Sequence, residues 1–355
     1  MKKRKSKTNQ HLPFVSICTP TFNRRPFIPI MLDCFRNQIY PMNRMEWIIV
    51  DDGTDKIEDL IVQANIPQIR YFALETKMML GEKRNYMHKQ TKGEIIVYMD
   101  DDDYYPPERV SHAVEMLLQN PTKEFAGASQ MFIYYKHDIH CMYQCGPYGE
   151  NHATAGTFAF RRSLLEQTKY DDHAALAEEK TFLKNFTIPM VQLDPYKTIL
   201  VFSHEHNTFD KRKMLENKHP QYFRECDVKV RDFIRNQNEE NIYMFFMEKI
   251  DQVLADYLPG CPAQKPDVLK QIAEIDKERE SMPQIMIQEY GKLPRPMSAN
   301  EIVDTMQRQQ VELQQKTLRI AELESLVIKL QQHMGNLMSR GDGTFTSVRP
   351  HMSYH

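Results

Sequence analysis

Residues 94–103 read Glu94-Ile95-Ile96-Val97-Tyr98-Met99-Asp100-Asp101-Asp102-Asp103, an apolar run that ends directly in four aspartates. A short, continuous apolar run is typical of a strand that is buried on both faces of a sheet. Two unit charges about 4 Å apart repel by about 1 kcal/mol even in bulk water, so four adjacent aspartates need full solvation or a cation. Because this acidic run directly follows a predicted strand, we interpret it as a binding site rather than an exposed acidic loop.

Similar apolar runs precede this strand in the chain. The sequence predicts three more buried strands and, between them, two amphipathic helices: strands at 14–19, 47–50 and 69–74, helices at 27–38 and 83–92. Apolar strands that alternate with helices indicate an α/β fold with a mostly parallel sheet and helices on both faces. Such sheets bind ligands beyond the carboxyl ends of their strands. Asp51 and Asp52 follow the second strand at that edge, as the four aspartates follow the fourth.

Four segments carry polar residues at the ends of these elements: Val15-Ser16-Ile17-Cys18-Thr19-Pro20-Thr21-Phe22-Asn23-Arg24, Trp47-Ile48-Ile49-Val50-Asp51-Asp52-Gly53-Thr54, Gly81-Glu82-Lys83-Arg84-Asn85 and Met99-Asp100-Asp101-Asp102-Asp103. In this order and spacing they resemble the family 2 glycosyltransferases and their GT-A relatives, over roughly residues 13–210. The resemblance implies a Rossmann-like GT-A fold. It also implies transfer of a sugar from a nucleotide-diphosphate donor to an acceptor hydroxyl.

The resemblance also assigns residues to the donor and to a metal ion. The implied donor-binding residues are Pro20, Phe22, Asn23, Asp51, Asp52, Arg84, Asp100, Asp101 and Gly156, the last in a segment that resembles the floor of the sugar pocket. The implied metal ligands are Asp100, Asp102 and Asp103, with His204 or His206 as a late histidine ligand. Oxygen ligands suit Mn²⁺ or Mg²⁺. Positions i and i+2 of a strand share a face, so both histidines could serve one site, but a structural histidine pair remains the alternative.

The segment Ala177-Glu178-Glu179-Lys180-Thr181-Phe182-Leu183 lies where the resembled family places Glu-Asp before an apolar helix. In inverting members the second acid is the general base. That acid is Glu179 here, one methylene longer than the usual aspartate, so Glu178 stays open as the alternative. A plain charged helix face is the further possibility. If Glu179 is the base, the resemblance implies an inverting, metal-dependent transfer.

Two other functions remain compatible with these residues. A nucleotidyltransferase also combines a nucleotide-binding sheet with a carboxylate-bound metal, but the usual glycine-rich, lysine-bearing phosphate loop does not follow the first strand. An inactive glycosyltransferase-like protein that acts through a coiled coil is the second alternative, and the complete acidic set disfavours it. For the favoured function, relatives make UDP the first choice of donor nucleotide, with GDP and dTDP as alternatives. The acceptor would be a glycan or another hydroxyl compound.

The C-terminal part of the chain has a different pattern. We predict a glycosyltransferase domain at 13–238, a helical extension and linker at 239–296, and a coiled coil at 297–338. Ten of the twelve seam positions of the heptads are apolar: Ala299, Met306, Leu313, Ile320, Val327 and Met334 on one seam, Ile302, Gln309, Lys316, Leu323, Leu330 and Leu337 on the other. Such heptads favour a homodimer through residues 299–337, whereas a single amphipathic helix lying on the catalytic domain is the alternative.

The composition and net charge argue against some classes of function and cellular location. A formal net charge of −2 with 26% charged residues argues against nucleic-acid binding, which would need a basic excess. Residues 1–12 carry a basic cluster that predicts a disordered tail, or alternatively a nuclear address or a contact with an acidic surface, and 339–355 predict a second disordered tail. We expect neither a transmembrane segment nor a secretory signal. The six scattered cysteines fit reduced thiols in a cytoplasmic protein.

Overall fold

The structure is a computed structural model that describes residues 12–136, 140–216, 221–281, 285–288 and 293–340. The chain divides into two compact units, Met1–Glu280 and Ser281–His355. The predicted tails at 1–12 and 339–355 lie almost wholly outside the described residues, so they stay predictions. None of the described helices combines the length and the apolar character that crossing a bilayer requires.

The first unit contains eleven strands and nine helices among its described residues. The strands are β1 Val15–Thr21, β2 Met45–Asp51, β3 Ile69–Ala73, β4 Ile95–Tyr98, β5 Phe125–Gly127, β6 Met131–Tyr135, β7 Cys141–Cys145, β8 Ala159–Arg161, β9 Met190–Gln192, β10 Leu200–Ser203 and β11 Phe223–Cys226. The helices are α1 Ile28–Arg36, α2 Glu58–Ala64, α3 Leu80–Gln90, α4 Arg109–Gln119, α5 Glu179–Phe182, α6 Lys213–Glu216, α7 Glu240–Met244, α8 Ile250–Ala255 and α9 Pro266–Ser281.

The main sheet has seven strands in the order β3-β2-β1-β4-β8-β5-β9. Strand β1 pairs in parallel with both β2 and β4, and β2 pairs in parallel with β3. Strand β8 is antiparallel to β4 and β5, whereas β5 and β9 are parallel. The predicted α/β class with a mostly parallel sheet is therefore confirmed. A second sheet, β10-β6-β7-β11, was not predicted.

The central strands bury alternate residues on opposite faces of the main sheet, because successive side chains of a strand point to opposite sides. Ile17, Trp47 and Val97 belong to one apolar cluster, which also contains residues of α1 and α4. Cys18 and Tyr98 belong to the other, which contains Met87 of α3. The sheet is thus covered by helices on both faces, as the continuous apolar runs indicated.

The predicted helical extension packs into this same first unit. Its apolar side chains lie in the larger cluster: Ile242, Phe245, Phe246, Ile250 and Leu254. The Phe246 ring stacks on Phe202 of β10 with centroids 3.9 Å apart. Glu239, which is fully buried, accepts a hydrogen bond of 2.8 Å from the Tyr104 hydroxyl. Residues 239–255 therefore complete the core around β10 instead of extending away from it.

The second unit holds a short hairpin, β12 Met286–Ile287 with β13 Arg295–Pro296, and the long helix α10, Ala299–Arg340. Ser298 starts this helix with a capping box: its hydroxyl accepts from the Glu301 N–H at 3.3 Å, and Glu301 Oε2 accepts from the Ser298 N–H at 2.8 Å. The long C-terminal helix predicted from the heptads is confirmed. Its pairing with a second copy remains a prediction.

Candidate functional site

A polar cavity lies at the carboxyl ends of β1 and β4, the edge of a parallel sheet where ligands bind. Its lining combines residues after β1 and β4, residues of α3, and two residues from farther along the chain: Pro20, Thr21, Phe22, Arg24, Leu80, Lys83, Arg84, Asp100, Asp101, Asp102, Thr208 and Lys265. Six predicted site residues are thereby brought together: Pro20, Phe22, Arg84, Asp100, Asp101 and Asp102. The sequence predicted the right edge of the sheet.

The turn after β4 is fixed by buried hydrogen bonds. The Tyr105 hydroxyl accepts from the Asp100 N–H at 2.8 Å and donates to the Gly156 carbonyl at 3.2 Å. The guanidinium of Arg109, fully buried, donates to the carbonyls of Tyr98 at 3.1 Å and Phe158 at 2.7 Å. Because its backbone is held in this way, the acidic turn presents its carboxylates at defined positions.

Arg24 neutralises part of the acidic turn. Its guanidinium lies 3.1 Å from Asp102 Oδ2 and 3.6 Å from Asp101 Oδ1, and it donates to the His206 carbonyl at 2.7 Å. Burial tends to raise the pKa of Asp102, but Arg24 and then His204 outweigh it and hold that pKa well below its ordinary value. Burial, with the Asp102 charge added to it, raises the pKa of Asp101 to about 7 despite Arg24. Arg24 and His204 therefore favour the charged form of Asp102, whereas burial disfavours the charged form of Asp101.

Asp100 and Asp103 differ in the direction that their carboxylates face. Asp100 lines the cavity, and its buried Oδ1 has no hydrogen-bond partner among the described residues. Asp103 Oδ1 instead accepts from the Phe202 N–H of β10 at 3.3 Å, and Asp103 is not part of the cavity lining. Burial, followed by the charge of Asp102, raises the pKa of Asp103 well above its ordinary value.

The carboxylates fit a divalent cation that is completed by its substrate. Within the described ranges, no group of three or more His, Cys, Asp or Glu side chains has the arrangement of a closed metal site. Mg²⁺ and Mn²⁺ do not need one, because they commonly bind one or two carboxylates and take phosphate and water oxygens for the rest. Asp100 Oδ1 accepts no hydrogen bond from the described residues and lies 3.7 Å from the Arg84 guanidinium. Asp100 and Asp102 both line the cavity and offer such a pair.

The two predicted histidine ligands lie beside this pair but do not line the cavity. His204 Nε2 is 3.5 Å from Asp102 Oδ2 and 2.8 Å from the Asn207 amide nitrogen, and burial lowers its pKa to about 3. His206 Nε2 lies 3.5 Å from Cys261 Sγ. The Nδ1 atoms of both histidines are buried without a hydrogen-bond partner in the described part of the chain. Burial also lowers the pKa of His206, and only His204 contacts a carboxylate of the acidic turn among the described ion pairs.

Glu178 and Glu179 occupy different environments behind the cavity. Glu178 is buried and accepts a hydrogen bond of 2.7 Å from Arg84 Nε, and the same guanidinium lies 3.7 Å from Asp100 Oδ1. Glu179, the first residue of α5, has no such cation partner among the described ion pairs. Burial, and then the charge of Glu178, raises the pKa of Glu179 to about 7. Neither glutamate belongs to the cavity lining itself.

Three of the predicted donor-binding residues, Asn23, Asp51 and Asp52, do not line the cavity and instead hold the loops beside it by hydrogen bonds. Asp51 accepts from the N–H groups of Gly53 and Ile57 and from the Tyr71 hydroxyl. Asp52 accepts from the Met78 N–H and from Lys83 Nζ. Asn23, with a φ of 52°, accepts from the Asp55 N–H at 2.9 Å. Their polar atoms close the loops after β1 and β2.

Gly156 lies directly beside the acidic turn, although it does not line the cavity. A Cβ at this position would come within 3.0 Å of Asp100 Oδ2 and 3.3 Å of the Tyr105 hydroxyl. A larger residue would thus crowd the Asp100 carboxylate.

The sequence reasoning missed half of the lining residues: Thr21, Arg24, Leu80, Lys83, Thr208 and Lys265. Arg24 and Lys83 lie within the four segments that carry the family resemblance. Each could have been recognised as a basic side chain next to a predicted ligand-binding turn. Thr208 and Lys265 carry no local signal, because tertiary packing alone brings them to β1 and β4.

Comparison with known proteins agrees with this geometry. Residues 16–168 match the model of glycosyl transferase family 2. The chain resembles the family 2 glycosyltransferases. The matched segment includes β1 to β4, the acidic turn and Arg84, so it contains most of the cavity.

Relatives share only part of their length with this chain. An uncharacterised glycosyltransferase of Haemophilus influenzae is 30% identical over 111 residues, which are 31% of this chain and 37% of that protein. The poly(ribitol-phosphate) beta-N-acetylglucosaminyltransferase TarS of Staphylococcus aureus is 30% identical over 105 residues, 29% of this chain and 18% of that protein. The chain thus matches well under two thirds of the length of these relatives.

Two solved structures show more distant likeness. A crystal structure of S. aureus TarS aligns with 81% of this chain and 97% of that chain, at 17% identity and a TM-score of 0.42. The mannosyltransferase PcManGT of Pyrobaculum calidifontis, in complex with GDP-Man and Mn²⁺, aligns with 77% of this chain and 82% of that chain, at 15% identity and a TM-score of 0.46.

Proposed function

We propose that this protein is a glycosyltransferase that moves a sugar from a nucleotide-diphosphate sugar to an acceptor hydroxyl. The proposal depends on one observation: within the segment that matches family 2, partly buried carboxylates and buried cations line one cavity at the carboxyl ends of β1 and β4. Cations recognise phosphate oxygens, and a carboxylate pair can hold the divalent ion that accompanies a diphosphate. UDP stays the favoured donor nucleotide, with GDP and dTDP as alternatives.

Asp100 and Asp102 would hold the divalent ion, Mn²⁺ or Mg²⁺. When bound, such an ion supplies stabilisation of the negative charge that develops on the departing diphosphate. Arg24 keeps Asp102 ionised and oriented, and Arg84 bridges Asp100 to Glu178. Asp103, His204 and His206 would support the turn rather than form the main ligand set, since none of them lines the cavity.

Of the two glutamates, neither of which lines the cavity, Glu179 is the better candidate for the general base. Its raised pKa lets it accept a proton near neutral pH, whereas Glu178 is already engaged by Arg84. As the acceptor oxygen forms its bond to the anomeric carbon, its proton passes to Glu179. The bond between the anomeric carbon and the diphosphate oxygen breaks, and the electron pair leaves with the diphosphate. Attack from the face opposite the leaving group gives inversion.

Incubation with UDP-, GDP- and dTDP-sugars and Mn²⁺ tests the proposal. Release of a nucleoside diphosphate together with the sugar is expected for one of these donors. Release of pyrophosphate from a nucleoside triphosphate would instead favour the nucleotidyltransferase alternative. Absence of any product with every donor, from protein that is folded, would favour the inactive interaction protein.

The proposed function includes a cellular location and an oligomeric state. The cytoplasmic location predicted from the sequence stays part of it, as does a homodimer through residues 299–337. The proposed acceptor is a glycan or another compound that carries a hydroxyl group.

A further inference from the structure

A segment far outside the family match covers one side of the cavity. The Tyr257 hydroxyl donates to Asp55 Oδ2 at 2.8 Å, and the Asn23 amide donates to the Pro259 carbonyl at 3.0 Å. There is no room for a side chain at position 260, because a Cβ on Gly260 would lie 2.8 Å from the Asn23 carbonyl oxygen and 2.7 Å from His206 Nδ1. The segment is therefore docked closely on the loops after β1 and β2, and its position fixes the residues that follow it.

Lys265, at the end of this segment, is a buried cation inside the cavity. Its side chain lines the cavity, and the residue is only 6% exposed. Its Nζ donates to Thr208 Oγ1 at 2.9 Å, and no carboxylate of the described residues lies within ion-pair distance of it. An ammonium group has three donors, so two of them are left for a ligand.

The other cations of the cavity are already engaged by carboxylates. Their partners lie on the acidic turn, on β2 and before α5: Arg24 with Asp102, Lys83 with Asp52, and Arg84 with Glu178. Lys265 differs from them, because Asp102 and Asp101 attract its charge only from beyond ion-pair distance, and burying a charge with such weak compensation is costly. Burial, followed by repulsion from Arg24, lowers the pKa of Lys265 to about 7. An anion in the cavity would offset that cost and restore the full positive charge.

We propose that Lys265 is a positioning residue that binds the diphosphate of the nucleotide-sugar donor. The inference rests on the proposed function, because the diphosphate is the anion which that function brings to this cavity. It adds a phosphate ligand from the segment 257–265, which lies wholly beyond the end of the family match at residue 168. Lys265 would thereby link donor binding to the docking of residues 257–265.

Titration calorimetry with UDP, GDP and dTDP, in the presence of Mn²⁺, tests this role on the full chain. For the diphosphate that binds the wild type, Lys265→Met should weaken binding about 10- to 100-fold, because hydrogen bonds to charged groups contribute about 1.5–3 kcal/mol. Lys265→Arg should recover part of the affinity. Affinity for the corresponding nucleoside should not change. Lys270→Met is the control, since Lys270 lies exposed on α9 beside Glu274.

The thermal unfolding of each variant separates a ligand role from a structural role. Methionine removes a buried, unpaired charge, so Lys265→Met should keep or raise the unfolding temperature while KM for the donor rises more than kcat falls. Unchanged diphosphate affinity in Lys265→Met would overturn the inference. The inference would also be overturned if Lys265→Met lost diphosphate affinity and thermal stability together and Lys265→Arg did not recover the affinity. Failure of the wild type to bind any of the three diphosphates is a different result, which overturns the proposed function and this inference together.

Discussion

Glu178 and Glu179 are neighbours in the chain, but their carboxylates have different electrostatic surroundings. Arg84 satisfies Glu178 at 2.7 Å, and this pair lies beneath the cavity next to Asp100. Glu179 is left with burial and the charge of its neighbour, which together raise its pKa to about 7. A general base works best when its pKa lies near the working pH. The contact between Glu178 and Arg84 therefore supports the proposal that Glu179, rather than Glu178, accepts the proton.

The pH dependence of donor turnover tests this division. Glu179 must be ionised to accept a proton, so kcat/KM should rise with pH through about 7 and level off above it. Glu179→Gln should lower the rate about 10²- to 10⁴-fold and remove the rising limb. The nucleoside diphosphate should bind this variant as it binds the wild type. A Glu179→Gln enzyme that keeps the rising limb would show that another group is the base.

Asp102 provides a second test at the scale of a single side chain. Asp102→Asn removes the ionised carboxylate of the proposed ion site and leaves Arg24 without its 3.1 Å partner. We expect more than a tenfold loss of Mn²⁺-dependent turnover, equivalent to at least about 1.4 kcal/mol of transition-state stabilisation. Mn²⁺ titration in the presence of UDP should show weaker binding of the ion.

Asp33→Asn is the matched control for that variant, because Asp33 only pairs with Arg36 on the surface of α1. The loss of Arg24's partner also predicts a lower unfolding temperature for Asp102→Asn, since breaking a largely buried pair is costly. Full Mn²⁺ affinity in folded Asp102→Asn would contradict the assignment of this residue to the ion.

At the scale of elements, residues 240–255 contribute to the core of the first unit. The Phe246 ring, 1% exposed, stacks on Phe202 of β10 at 3.9 Å. Phe246→Ala should lower the free energy of unfolding by about 3–5 kcal/mol, as large-to-small changes in packed cores do. Urea unfolding followed by tryptophan fluorescence measures this, because Trp47 is the single tryptophan and is fully buried. Phe209→Ala, at a residue 40% exposed, is the control, and an equal loss in both variants would contradict the packing role.

The elements that could be predicted are those with a strong local pattern. The runs at 47–50 and 94–99 are long and apolar, and they became β2 and β4, because continuous burial on both faces leaves this signature in the sequence. Strands such as Phe125–Gly127 and Met190–Gln192 have three residues each, too few to show a period. These two strands of the main sheet were missed for this reason.

The residues of the candidate site, like the strands, could be predicted only where a local sequence pattern marks them. Asp100 and Asp102 could be predicted, because a parallel sheet presents the residues after its strands at one edge. Arg24's ion pairs, the hydrogen-bonded role of Asp51 and the presence of Lys265 depend on contacts between distant segments. Lys265 lies more than 160 residues from the acidic turn in the sequence, and no spacing rule connects them.

At the scale of the whole molecule, the helix α10 of the second unit carries an exposed apolar stripe along its heptad seams. Seam residues of α10 are exposed by half or more: Met306 by 63%, Leu313 by 66%, Ile320 by 56% and Val327 by 51%. β-Branched residues on one seam with leucines on the other favour a parallel two-stranded coil. Gln309 and Lys316 are tolerable in a dimer, where long side chains reach water.

We therefore expect the full chain to be a dimer in light scattering at micromolar concentration, and a chain ending at Ser281 to be an active monomer. Replacing Leu323 and Leu330 together by glutamate should also give monomers, since it places like charges on the seam at two heptads. Gln332→Glu, off both seams, is the matched control and should stay dimeric. Retention of activity by the shortened chain is expected because the cavity and its lining lie entirely within Met1–Glu280. A monomeric full chain, or a dimer that survives the double glutamate change, would show that the stripe on α10 has a role other than pairing two copies.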